Sequence, residues 1–178
     1  MKKATRSTRV RVIDNQEGIK AAVINFLKKK KNIVYGQRSI NSQSKYLHRS
    51  TDDWDAYSKN PKSDAHKLQA KLDKIAAADY YYSKEAKHKG TFKVKGLGND
   101  LVPSADDESI ADFSKPEGKI QTVKKDGVRY RHLKQEIAAK QRSLADPTQK
   151  FRHEKDKGDL DRTLADIKIN KLLGGSLF

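Results

Sequence analysis

The sequence predicts an α+β protein, and three observations carry that prediction. Short apolar runs of strand length and longer stretches with a helical apolar stripe follow one another without the strict alternation of a doubly wound fold. The strand-like runs fall in the first three quarters of the chain, whereas the last part reads as helix. No internal repeat is visible, and 178 residues suit one domain or one domain with appendages.

Residues 1–15 read as a basic flexible arm, carrying Lys2, Lys3, Arg6, Arg9 and Arg11 with little that could pack, and ordered by a polyanion or partner. A helix is predicted from Gln16 to Lys31, with Ile19, Val23, Phe26 and Leu27 on one face. Its terminal Lys28-Lys29-Lys30-Lys31 suits either the helix macrodipole or phosphate contact. Asn32 to Gly36 reads as a buried strand, followed by a polar helical stretch through Tyr46 and a strand from Asp53 to Ser58. Asn60-Pro61 opens a helix with proline in its first turn and a stripe of Ala65, Leu68, Leu72, Ile75 and Ala76. Tyr80–Ser83 and Thr91–Val94 read as a strand pair, and a loop with Gly96, Gly98 and Pro103 leads to a strand at Ile110–Phe113. For Tyr80-Tyr81-Tyr82 an amphipathic strand is preferred to a base-stacking platform.

These elements make residues 16–125 the core. Residues 126–170 add a last strand, Val128–Leu133, and helices packed on the core. One helix carries Leu133, Ile137 and Leu144 and is broken by Pro147; the other carries Leu160, Leu164 and Ile167. Residues 171–178 form an apolar tail interrupted by Gly174-Gly175, in which Leu177 and Phe178 are expected to dock on this protein's own sheet edge or on another subunit.

The formal net charge of +16, from 39 Lys and Arg against 23 Asp and Glu, points to RNA or DNA as a partner, because such binding releases condensed counterions. A surface kept in solution by charge, or one bound to an acidic protein, is the alternative. With no cysteine, disulfides, thiolate zinc sites and cysteine nucleophiles are excluded. No stretch approaches the roughly 18 apolar residues of a membrane span, and no apolar h-region follows the basic N-terminus. The expected location is cytoplasmic, or the virion if the source is viral. The five histidines show no metal-ligand spacing.

Chemistry concentrates at Asp53-Trp54-Asp55. In a strand, residues i and i+2 share a face, so Asp53 and Asp55 converge, and Asp112, between Ala111 and Phe113, joins them from a neighbouring strand. Three carboxylates on one face repel unless a hard divalent cation bridges them, which suggests Mg²⁺-assisted phosphoryl or nucleotidyl transfer. The alternative places Asp53 in a turn and Asp55 on a solvated strand face. Lys155, Asp156 and Asp159 equally fit i,i+4 pairs on an exposed helix.

A strand ending in Gly36, a helix, a strand bearing Asp53 and Asp55, and a later strand bearing Asp112 together resemble the polymerase-beta-type nucleotidyltransferases. The closest likeness is to minimal, antitoxin-partnered toxin-like members, viral or phage relatives included. The resemblance implies a mixed sheet flanked by helices with a helical C-terminal portion. It implies that Asp53, Asp55 and Asp112 are the catalytic, metal-binding carboxylates, holding two Mg²⁺ ions. Gly36 then opens the triphosphate-binding turn, and Lys140, Arg152 and Lys155 match the family's C-terminal basic pattern. Where the family has Gly-Ser or Gly-Gly at the turn, this chain has Gly36-Gln37, so Arg38 or Ser39 is expected to take over phosphate contact. The function implied is Mg²⁺-dependent transfer of NMP from an NTP to an RNA end or other hydroxyl acceptor. The alternative is a non-catalytic relative: a basic nucleic-acid-binding or structural component of a viral or phage particle, assembling through its arm and tail.

Overall fold

The computed structural model describes residues 2–175 and is α+β. Leu177 and Phe178, expected to dock, lie outside the described residues. The chain divides into two compact units. One comprises the chain up to Ile33 together with Asp52–Gly118; the other comprises Val34–Thr51 and the chain from Lys119 onward.

In the first unit, α1 (Arg6–Asp14) and α2 (Gln16–Lys30) precede β2 (Trp54–Tyr57), α4 (Pro61–Ala76), β3 (Tyr81–Glu85), β4 (Phe92–Gly96) and β5 (Ser109–Ser114). The stretch expected to be a flexible arm is helical. Thr5 and Thr8 form a reciprocal capping box that satisfies the first backbone donors of α1, and Thr8 and Val12 are buried against α2 and α4. The sequence reading weighed the arm's charge and overlooked this cap.

Strands run in the order β3-β4-β5-β2, with β2 and β5 parallel and the other two pairs antiparallel, so the sheet is mixed. Helices α2 and α4 cover one face of it. Leu27, Leu68, Leu72, Val94, Ala56, Ala111 and Phe113 are fully buried there, and the Phe26 ring meets Phe113 edge-on at 6.0 Å. Ile75, assigned to the α4 stripe, is instead 39% exposed. Helix α4 ends on Ala77 at φ 55, a left-handed position that usually falls to glycine.

The second unit holds most of β1 (Ile33–Tyr35), α3 (Gln37–Gln43), β6 (Thr122–Lys125), β7 (Val128–Arg131), α5 (Leu133–Ala145) and α6 (His153–Leu172), the last two joined through a 3-10 turn at Pro147–Arg152. Strands β6 and β7 pair antiparallel across Asp126-Gly127, where φ is 50 and 82. That two-residue loop is a hairpin signature, and the sequence reading passed over the β6 strand. The C-terminal helices bury polar rather than apolar stripes. On α5 the buried residues are Leu133, Glu136, Lys140 and Ser143; on α6 they are Asp156, Asp159, Thr163, Asp166 and Asn170. The expected stripe of Leu160, Leu164 and Ile167 does not form the core: Leu160 and Ile167 are half-buried and Leu164 is 45% exposed. Among the described residues no helix is long and apolar enough to cross a membrane.

Candidate active site

Alternation along β2 and β5 sends apolar side chains to the helices and carboxylates to the other face. Trp54 and Ala56 are buried, whereas Asp55 and Tyr57 are half-buried. On β5, Ala111 and Phe113 enter the core and Asp112 faces the opposite way. The parallel register pairs Asp55 with Asp112 directly, so these two carboxylates are neighbours on one sheet face. The carboxyl end of β2 is anchored by Asn32, whose Nδ2 donates to the Tyr57 carbonyl at 3.2 Å and to Asp64 Oδ2 at 3.1 Å, and by Ser58 N donating to Ser114 O at 2.8 Å.

Asp53 lies at the bend before β2 and is half-buried, outside the strand register. Among the described residues no group of three or more His, Cys, Asp or Glu side chains is disposed to hold a metal ion. The parallel register brings Asp55 and Asp112 together as a pair, with Asp53 two residues before Asp55 at the bend. The pair is chemically suited to Mg²⁺, which takes hard oxygen ligands and commonly uses one or two carboxylates with the remaining positions left to water and phosphate.

Asp112 is 8% exposed and engaged on both oxygens. Ser109 Oγ donates to Oδ1 at 2.7 Å, and Lys93 Nζ lies 2.6 Å from Oδ2. Lys93 is the register partner of Asp112 on β4, and Lys84 is the partner of Lys93 on β3. One row across four strands thus reads Asp55, Asp112, Lys93, Lys84. The sequence reading missed Lys93, although the alternation Phe92-Lys93-Val94 places it on the polar face once Val94 is assigned to the core.

The residues proposed for phosphate contact belong to the second unit, and most are engaged in holding it together. Gly36, at φ 70, donates its N–H to Glu136 Oε1 at 2.9 Å. The same carboxylate pairs with Arg131, whose guanidinium lies 5.4 Å from the Tyr35 ring centroid. Burial pushes Glu136 above the ordinary carboxylate range, against the lowering effect of Arg131 and the Gly36 N–H. Ser39 is fully buried and donates to Arg131 O at 2.6 Å. Gln37 is buried too, and Arg38 is half-buried.

Lys140 lies between two helix-borne carboxylates, 3.1 Å from Asp156 Oδ1 and 2.9 Å from Asp159 Oδ2. Arg49, at 2.8 Å from Asp159 Oδ1, Arg162 and Arg152 complete the network, and Ser143 donates to Asp156 Oδ2 at 2.7 Å. Burial alone would raise Asp156 and Asp159; hydrogen bonds and the neighbouring cations outweigh it and leave both below the usual carboxylate range. Asp166 is lowered in the same way, with backbone N–H groups of Lys45, Tyr46 and Leu47 donating to it. These placements give Ser39 and Lys140 structural partners. Arg152 shares Asp156, and Lys155 is exposed. Arg49 and Asp166 had no local signal in the sequence, because Arg49 meets Asp159 and Asp166 meets Tyr46 across more than a hundred residues; Glu136 has Arg131 nearby, but its bond to Gly36 spans a hundred residues.

No family model matches the chain, and no curated protein matches it. Among solved structures it is similar to the Megavirus polyadenylate synthase, with 21% identity and a TM-score of 0.68 over 87% of this chain. The chain spans 32% of that protein's length. It also matches JHP933 from Helicobacter pylori at 12% identity over 82% of this chain and 60% of that one, with a TM-score of 0.46 that is too low to bear on the fold. At such identities the likeness concerns architecture alone, and the architecture is a nucleotidyltransferase-like fold.

Proposed function

We propose that the chain transfers a nucleoside monophosphate from an NTP to a hydroxyl acceptor, with an RNA end as the acceptor and ATP as the first nucleotide to test. The observation that carries this reading is the pairing of Asp55 with Asp112 in adjacent parallel strands, on the face opposite α2 and α4, in a nucleotidyltransferase-like fold. Asp55 and Asp112, joined by Asp53 from the preceding bend, are the residues that would hold Mg²⁺. The ion would neutralise charge on the transferring phosphoryl group. In the reaction the acceptor oxygen forms a bond to the α-phosphorus, the bond from that phosphorus to pyrophosphate breaks, and the acceptor proton passes to a carboxylate of the pair. Positioning and charge dominate such transfers, so few residues suffice. The net charge of +16 supports a polyanionic acceptor.

The test is purified chain with labelled ATP, then each other NTP, with Mg²⁺ and RNA acceptors. Label should pass to RNA, and Asp55→Asn or Asp112→Asn should each lower the rate by about a thousandfold, the scale of several kcal/mol of lost charge stabilisation. RNA affinity should fall log-linearly with salt. Wild-type chain inert toward all four NTPs would favour the second reading, a non-catalytic nucleic-acid-binding or structural protein. One observation supports that reading: the ammonium of Lys93 already occupies Asp112.

A further inference from the structure

We propose that Lys93 is the counter-ion of the Asp55–Asp112 pair in the metal-free chain, and that it must leave Asp112 before a divalent cation can take that carboxylate. The inference rests on the reading of these aspartates as metal ligands. It concerns the order of events at that site, not the chemistry that follows.

Four features support it. Lys93 and Asp112 are direct register partners, so the contact of 2.6 Å is set by the sheet itself rather than by a chance reach of a surface side chain. Both oxygens of Asp112 are in use, one by Ser109 and one by Lys93, and a cation approaching Oδ2 meets an ammonium at short range. The next residue in the row is Lys84, opposite Lys93. Like charges directly opposite one another weaken a strand pair, so the β3–β4 pairing gains nothing from a lysine at 93. What that lysine serves lies on the other side, at β5.

The fourth feature is freedom to move. The Lys93 side chain is 32% exposed while that of Asp112 is 11% exposed, so the ammonium has a path to water. Lys140 offers the contrast. Its side chain is 11% exposed and is fixed between two carboxylates that are themselves almost fully buried. A lysine held by one partner at the edge of water is displaceable; a lysine held by two partners in the interior is part of the scaffold.

The experiment uses the full chain with Mn²⁺ as probe, counting free ion by its electron paramagnetic resonance, alongside thermal unfolding with and without Mn²⁺. Variants are Lys93→Gln, Lys93→Arg, and Asp112→Asn as the site control. Removing the competing ammonium should tighten Mn²⁺ binding by about tenfold or more, given the repulsion between a divalent ion and an ammonium a few ångströms apart. Lys93→Arg should bind as wild type does. Metal-free Lys93→Gln should melt lower than wild type yet gain more from Mn²⁺, a split that a merely structural lysine would not produce. If Lys93→Gln does not fold, Lys93→Met keeps the apolar stem and serves in its place.

Unchanged or weaker Mn²⁺ binding in the neutral variant overturns the proposal. So does a lack of binding to both wild type and variant up to roughly 10 mM, beyond the range of weak oxygen-ligand sites. The NMP-transfer assay separates the two claims. Tightened Mn²⁺ binding without transfer keeps the role of Lys93 and removes the enzymatic reading; transfer without tightening does the reverse.

Discussion

The two units solve opposite problems with the same residue types. In the first, apolar residues fill the space between α2, α4 and the sheet, and the charged row Asp55, Asp112, Lys93, Lys84 is kept to the other face. In the second, the charges are the interior. Helices α5 and α6 meet through Lys140, Ser143, Asp156 and Asp159, with Glu136 and Asp166 buried nearby against α3 and the loop after it. A lysine–aspartate contact on the first unit's face is therefore available for exchange, whereas one in the second unit is a structural joint. Ion pairs in the interior stabilise little relative to an apolar substitute, but removing one partner leaves the other charged and unsolvated.

The sharpest test of this contrast is Lys140→Met, which leaves Asp156 and Asp159 without their shared cation. It should destabilise the chain by about 3–5 kcal/mol, measured as a shift in urea midpoint. The equivalent change in the first unit, Lys93→Met, should cost less, about 1–2 kcal/mol, because Asp112, though buried, loses a single cation and keeps the Ser109 hydrogen bond, and the Lys93 side chain is 32% exposed. Comparable losses at the two sites would erase the distinction drawn between them.

Acid should weigh on the second unit through three buried carboxylates, whereas in the first, among the described residues, Asp107 is the one held below its ordinary pKa. Asp156, Asp159 and Asp166 have folded pKa values below their ordinary ones, so the stability they contribute is present above the unfolded value and is lost as pH falls below about 4 through the folded values. Glu136, raised by burial, works in the other direction, its contribution improving as pH falls. Urea midpoints between pH 7 and pH 2 should show this decline, and Asp166→Asn should flatten part of it. A wild-type profile unchanged across that range would mean that the network contributes nothing.

Smaller effects probe the apolar face of α6 and the end of α4. Leu164→Lys should lie within about 0.5 kcal/mol of wild type, since Leu164 is 45% exposed. A larger loss would restore the apolar stripe that the sequence suggested. Ala77→Gly should stabilise by up to about 1 kcal/mol, because it relieves a left-handed conformation at the cost of extra freedom in the unfolded chain.

What could be read from the sequence follows the same division. Helices α2 and α4 were legible because their cores are apolar and periodic, and Asn60-Pro61 marked the start of α4. The Asp55–Asp112 neighbourhood was legible because strand alternation is a local rule and both runs were short and apolar apart from the aspartate. The interior of the second unit was not. Lys140, Asp156 and Asp159 read equally well as a solvated face, and the leucines of α6 read as a core, since periodicity ranks apolar residues inside and cannot foresee a buried seam of ions. Arg49 and Asp166 find their partners on distant segments, beyond the reach of any window along the chain.

Asp166 accepts from the backbone N–H groups of Lys45, Tyr46 and Leu47, at separations of up to 121 residues. During synthesis, the loop from 45 to 47 emerges long before the helix that will fix it. At some 5–20 residues per second, the ribosome leaves that segment waiting for several seconds with its amides open to water or to a chaperone. The first unit meets no such delay beyond Gly118, as its own strands, β2 to β5, are already made. Birth order therefore divides the molecule as its chemistry does: the carboxylate pair can be assembled early, and the ion-filled unit closes only when the last helix has left the tunnel.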